Sequence, residues 1–266
     1  MLEPETRLPD PPTRAPDVED DLTGPLLRGD LWIDHYLPHW TTSERSAARY
    51  DLDAEGLRLR IDADQLDWRP EDAPMRVSNL QTGLSAGPLG STRGTHRHRE
   101  DGLVVRTPAS TSLLWAPSAG RVEVTVSASA DPDCMLAVWL VGAEHREPQH
   151  SGEVCLFEID ADSVGSARPV ARCGLKAHHD PRLRTDMTEV VLPVDPGGPH
   201  TWTVVWGGGA TTIACEGVVL RRLDQAPDYP LVLMVDLFEI GEPRGRYPKT
   251  ARVHGVRGWD ETAVGA

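Results

Sequence analysis

The chain has 266 residues, with 41 Asp+Glu against 27 Lys+Arg, for a formal net charge of −14. A surface of that sign repels phosphate, which argues against nucleic acid or an anionic membrane as partner. The length suits one large β domain, and 39% hydrophobic residues are enough for its core.

The first 29 residues carry six prolines and many acids without periodicity. They are expected to form a disordered or extended tail, with a single domain over 30–266. The start is neither basic nor followed by an apolar stretch, so it does not read as an export signal. No apolar run is long enough to span a bilayer. The chain is therefore expected to be cytoplasmic, off the membrane and monomeric. Four cysteines (Cys134, Cys155, Cys173, Cys215) lack CxxC spacing and are expected to be free thiols.

From Leu31 onward, short patterned runs take over. Leu57, Leu59 and Ile61 alternate with Arg58, Arg60 and Asp62. Residues 64–110 are richer in Arg, Gly and Pro and are expected to be long loops with a few short strands. Val122, Val124 and Val126 alternate with polar neighbours, and Trp202, Val204 and Trp206 share one face of a later run. Period-two alternation predicts half-buried strands. Met135–Val141 and Leu231–Ile240 are almost continuously apolar, which predicts central strands covered on both faces. Pro- and Gly-rich turns separate these runs, and no amphipathic helix of 12 or more residues is visible. The fold class expected is all-β, a sandwich or jelly roll of two antiparallel sheets.

Residues 151–162, Ser-Gly-Glu-Val-Cys-Leu-Phe-Glu-Ile-Asp-Ala-Asp, place four carboxylates in a sequence that otherwise reads as a strand. Acids are disfavoured in strands, so such a row needs solvent or a chemical task. Two carboxylates about 5–5.5 Å apart can flank a glycosidic bond, one as nucleophile and one as acid/base. Two registers compete. Regular alternation groups Glu158, Asp160 and Asp162. A bulge near Leu156-Phe157 groups Glu153, Cys155 and Glu158.

Gly152-Glu153-Val154-Cys155-Leu156-Phe157-Glu158 resembles the G-E-x-D-x-x-E strand of glycoside hydrolase family 16, the laminarinase, lichenase and κ-carrageenase group. Cys155 stands where that family has Asp. The flanks agree in order: Gly120-Arg121-Val122-Glu123 is similar to a G-R-x-E strand, and Met135–Leu140 to the P-A-F-W-L strand. His200–Trp206 is similar to an F-H-x-Y-x-x-x-W strand, and Tyr229–Leu237 to a P-x-x-L-x-L-N-L strand. The resemblance spans about residues 30–258. It implies a concanavalin A-like jelly roll, with Glu153 as nucleophile, Glu158 as acid/base and Cys155 in the supporting position. The implied ligand is a β-linked carbohydrate, and that chemistry needs no metal or organic cofactor. The alternative is a binding module of the same fold without turnover.

By the same resemblance, Trp139 lies near the cleft floor and His178, in His178-His179-Asp180, contacts substrate. Trp32, Trp40 and Trp115 are candidate sugar-stacking platforms, with ordinary packing as the alternative. His35 and His39 flank Trp40 and are candidates for the same cleft. His96-Arg97-His98-Arg99 holds two histidines that cannot close a metal site without further ligands, and a solvated loop is expected there.

Overall fold

A computed structural model describes residues 7–99 and 101–262. Sixteen strands carry the fold: β1 Val18–Asp20, β2 Arg49–Asp53, β3 Gly56–Ile61, β4 Met75–Gln81, β5 Gly83–Leu84, β6 Ser112–Leu113, β7 Gly120–Ser127 and β8 Cys134–Gly142. They continue with β9 Glu153–Asp160, β10 Val170–Lys176, β11 Asp186–Val191, β12 His200–Gly207, β13 Ala210–Cys215, β14 Val218–Leu223, β15 Leu231–Ile240 and β16 Lys249–Asp260. Helix is confined to one four-residue turn at Ser43–Ser46 and three 3₁₀ turns among the described residues.

One sheet runs β14-β13-β12-β7-β16-β3-β2, with β1 added beside β16. The second runs β11-β10-β9-β8-β15-β4. All pairings are antiparallel, as the jelly-roll expectation requires. The alternating residues Leu57, Leu59, Ile61, Val122, Val124, Val126, Trp202, Val204 and Trp206 all point into the layer between the sheets. The tail is more ordered than composition suggests. Val18–Asp20 pairs with Val256–Gly258, Leu22 is buried, and Trp32 Nε1 donates to Asp20 at 2.8 Å.

The central strands of the second sheet are buried on both faces. Leu231, Leu233, Val235 and Leu237 of β15 face the inter-sheet core, while Val232, Met234 and Phe238 face a second apolar cluster outside it. Tyr36, Leu37, Trp40, Trp68, Leu103 and Val105 roof that cluster. The loop-rich segments thus close over the sheet, which explains why β8 and most of β15 are apolar on both faces; Asp236 and Glu239 are the exceptions on β15. The segment 64–110 also supplies β4, a seven-residue edge strand paired with β15.

The carboxylate strand β9 is bulged. Val138 pairs with Phe157 and the next residue, Trp139, pairs with Cys155, so Leu156 is extra. On the other side Arg172 pairs with Glu158 and Gly174 with Cys155. Leu156 and Phe157 therefore both enter the inter-sheet core. Glu153, Cys155 and Glu158 share the outer face. Regular alternation ends at Asp160, because Ala161–Ser163 is a 3₁₀ turn that carries Asp162 off the strand.

Candidate active site

The bulge brings single ligand atoms of Glu153, Cys155 and Glu158 within 4.8 Å of one another. This is the bulged register; among the described residues Glu158, Asp160 and Asp162 do not converge in the same way. The neighbouring strand completes the site. β10 presents Arg172, Gly174 and Lys176 on the outer face, directly across from Glu158, Cys155 and Glu153. Lys176 Nζ lies 2.9 Å from Glu153 Oε1 and donates to Glu158 Oε1 at 2.7 Å. Arg172 Nε donates to the other Glu158 oxygen at 3.0 Å and its guanidinium also binds Asp160. His178 Nε2 donates to Glu153 Oε2 at 2.8 Å, and His96 Nδ1 stands 3.8 Å from the same oxygen.

Glu153 is 0% exposed and Glu158 is 9% exposed. Burial disfavours the charge on Glu153, but the His178 hydrogen bond and the Lys176 ammonium prevail and hold its pKa at about 2. Burial alone would lower the pKa of Lys176, and its carboxylate neighbours reverse that and raise it. Burial pushes the Cys155 thiol well above its ordinary range, and Sγ donates to Arg172 O at 3.7 Å. The thiol is neutral, so Lys176 is the group that offsets the two acids. Asp236, fully buried on β15, is pushed well above the carboxylate range, mainly by burial and against the Asn79 hydrogen bond.

Trp139 forms the floor. Lys176 Nζ sits 5.1 Å from its ring centroid and the His96 ring stacks on it at 5.8 Å. His178 touches Glu153, so both residues stand beside the carboxylates. The other aromatic expectations are corrected. Trp40 is 0% exposed and its Nε1 donates to Thr95 O at 3.1 Å, so it belongs to the roof's packing. Trp115 packs in the inter-sheet core, with its ring within 2.7 Å of where a Gly258 Cβ would stand. Trp32 is in the same core. His39 is buried against Thr95 O and His35 pairs with Asp34, so neither reaches the carboxylates. His96 is also corrected: it is 7% exposed and packed over the site, not part of a solvated loop.

Sequence reasoning missed Arg172 and Lys176. The signal was present as Arg-x-Gly-x-Lys-x-His over residues 172–178, the period-two row of a strand facing an acidic one. Two cavities flank the site. One of about 560 Å³ lies beside Glu158, lined by Met135, Asp160, Arg172 and Arg244 among others. Another of about 300 Å³ lies near the histidines, lined by Arg93, Arg97, Glu144 and His179 among others.

No family model and no curated protein sequence matches the chain. Solved structures do. A GlcNAcα1-4Gal releasing endo-β-galactosidase from Clostridium perfringens superposes with a TM-score of 0.79 at 22% identity, covering 94% of this chain and 65% of that one. The chain thus spans just under two thirds of that enzyme. The laminarinase catalytic domain of Thermotoga petrophila RKU-1 gives a TM-score of 0.62 at 12% identity, covering 92% and 98%. A Bacillus licheniformis β-glucanase gives 0.59 at 12% identity, covering 94% and 100%. The chain shares the β-sandwich jelly roll of these endo-glycosidases.

Proposed function

We propose that the chain is an endo-acting glycosidase that cleaves an internal β-glycosidic bond of a galactose- or glucose-containing glycan with retention. The observation that carries the reading is the bulge at Leu156–Phe157, which sets Glu153 and Glu158 on one face within 4.8 Å. Glu153, ionised by its His178 and Lys176 partners, attacks the anomeric carbon. Glu158 delivers a proton to the departing oxygen, and later takes one from the water that releases the glycosyl group from Glu153.

Lys176 sets the condition for this chemistry. It stands between the carboxylates, where the sugar's anomeric centre has to be, and with Arg172 it occupies both oxygens of Glu158 as acceptors. Turnover requires that Lys176 leave the pair and that the residues covering Glu153 give way.

The same two facts, the bridging lysine and the 0% exposure of Glu153, favour a second reading, a glycan-binding protein without turnover. Reducing-end release from mixed β-glucans and β-galactans separates them. Release by the wild type that Glu153→Gln abolishes supports hydrolysis. Equal release by both proteins removes Glu153 from the chemistry. No release, with glycan binding retained, establishes the binding reading.

A further inference from the structure

We propose that His96, Glu153 and His178 form a binding site for one divalent transition-metal ion, with Zn²⁺ the best match. One ligand atom from each of the three residues lies within 4.8 Å of the others. Tetrahedral zinc with bonds of about 2.0–2.2 Å needs ligand atoms roughly 3.3–3.5 Å apart. The measured separations from Glu153 Oε2, 2.8 Å to His178 and 3.8 Å to His96, bracket that value. The two rings meet edge to face at 81°, with centroids 5.3 Å apart, so their nitrogens converge without the rings colliding.

Three independent features point the same way. His96 Nδ1 is buried and has no hydrogen-bond partner, a costly arrangement for a polar atom aimed at a carboxylate. Both histidines have left-handed backbones, at φ 57° for His96 and φ 47° for His178, in positions where that strain is uncommon. Two neutral imidazoles and one carboxylate are also the donor set that zinc takes with a fourth position left open. Burial pushes His96 well below its ordinary pKa and so keeps it in the ligating form.

Lys176 does not block the ion. It contacts the other Glu153 oxygen and keeps Glu158 as its own partner at 2.7 Å. To ligate through Nε2, the neutral His178 ring takes the tautomer with its proton on Nδ1. The ion takes the oxygen that hydrolysis needs free, so this proposal goes beyond the glycosidase reading and is independent of it.

The test uses the tag-free full chain, stripped with a chelator. Zn²⁺ titration by calorimetry, with metal analysis after desalting, is expected to give one ion per chain. His96→Ala and His178→Ala are expected to lose at least tenfold in affinity, while His145→Ala, away from the site, keeps it. Co²⁺ added to the wild type supplies a readout that needs no variant: strong visible bands of a four- or five-coordinate site support the proposal. Failure of the wild type to retain zinc, or unchanged affinity in His96→Ala/His178→Ala, overturns it, as does a Co²⁺ spectrum no stronger than that of the hydrated ion. None of these outcomes depends on whether the chain hydrolyses anything.

Discussion

Lys176 Nζ stands 2.9 Å from Glu153 Oε1 across the β9–β10 pair, and this contact ties the strand carrying the acids to the strand beside it. It is a mostly buried ion pair, with the lysine side chain 28% exposed and the glutamate 0%. Such pairs contribute little relative to apolar replacements, but removal of one partner leaves a stranded charge.

Lys176→Met is therefore expected to destabilise the protein at pH 7 by about 3 kcal/mol, the low end of the range for breaking buried pairs because the lysine is partly open. The loss shrinks towards pH 4, because Glu153 without the Lys176 ammonium takes up a proton more readily. Urea melts of both proteins at the two pH values check this. An equal loss at both would show that packing, and not charge, is what Lys176 provides.

Glu153 has a folded pKa of about 2 against an ordinary 4.5. The unfolded chain binds the proton more readily, so this group's stabilisation is present above about pH 4.5 and disappears as the pH falls through about 2. Its full size is on the order of 3 kcal/mol. Glu153→Gln is expected to flatten the acid limb of the stability curve between pH 5 and pH 2.

Glu144 runs the other way. Burial raises its pKa to about 8, against the hydrogen bonds it accepts from the backbone amides of His96 and Arg97. The unfolded form ionises first, so stability is lost as pH rises from about 4.5 to 8. Glu144→Gln keeps an acceptor for both amides. It is expected to raise the melting temperature at pH 8 and to leave it nearly unchanged at pH 4.

Gly152 opens the carboxylate strand because nothing larger fits. A Cβ there would stand 2.4 Å from Leu183 Cδ1 and 2.6 Å from the Tyr229 hydroxyl, which accepts the Gly152 amide. Gly152→Ala is expected to cost about 1–3 kcal/mol by overpacking. Gly165→Ala, at a turn where no atom lies within 4 Å, separates this clash from backbone strain alone.

All four cysteines are free and buried, and burial raises the thiol pKa of Cys134, Cys173 and Cys215 to about 12. Thiolate is the reactive form, so the native chain is expected to resist a thiol-exchange reagent. Four equivalents should react in guanidinium. Rapid labelling of the folded protein would contradict the packing described for β9 and its neighbours.

The architecture was legible because alternation is a backbone property: Val122, Val124 and Val126 face one core in any antiparallel sandwich. The bulge was legible as one of two registers, since only a two-residue inward step at Leu156–Phe157 sets Glu153 with Glu158. The cover was not. Trp40, Trp68, Leu103 and Val105 come from segments without periodicity, and nothing local says which sheet face such a segment will lie on. The same holds for His96, whose backbone turns over Trp139 and carries it to Glu153. Lys176 and Arg172 were written in their strand's alternation and became interpretable once its pairing with β9 was known.

The additional residue in β9 makes the length of that strand a chemical variable in its own right. Excising Leu156 would remove the bulge and leave Glu153, Cys155 and Glu158 outward and Val154 and Phe157 inward by plain alternation. The acid row is thus encoded by counting as much as by composition: the shortened spacing would hold it by alternation, and the natural spacing holds it only through the bulge.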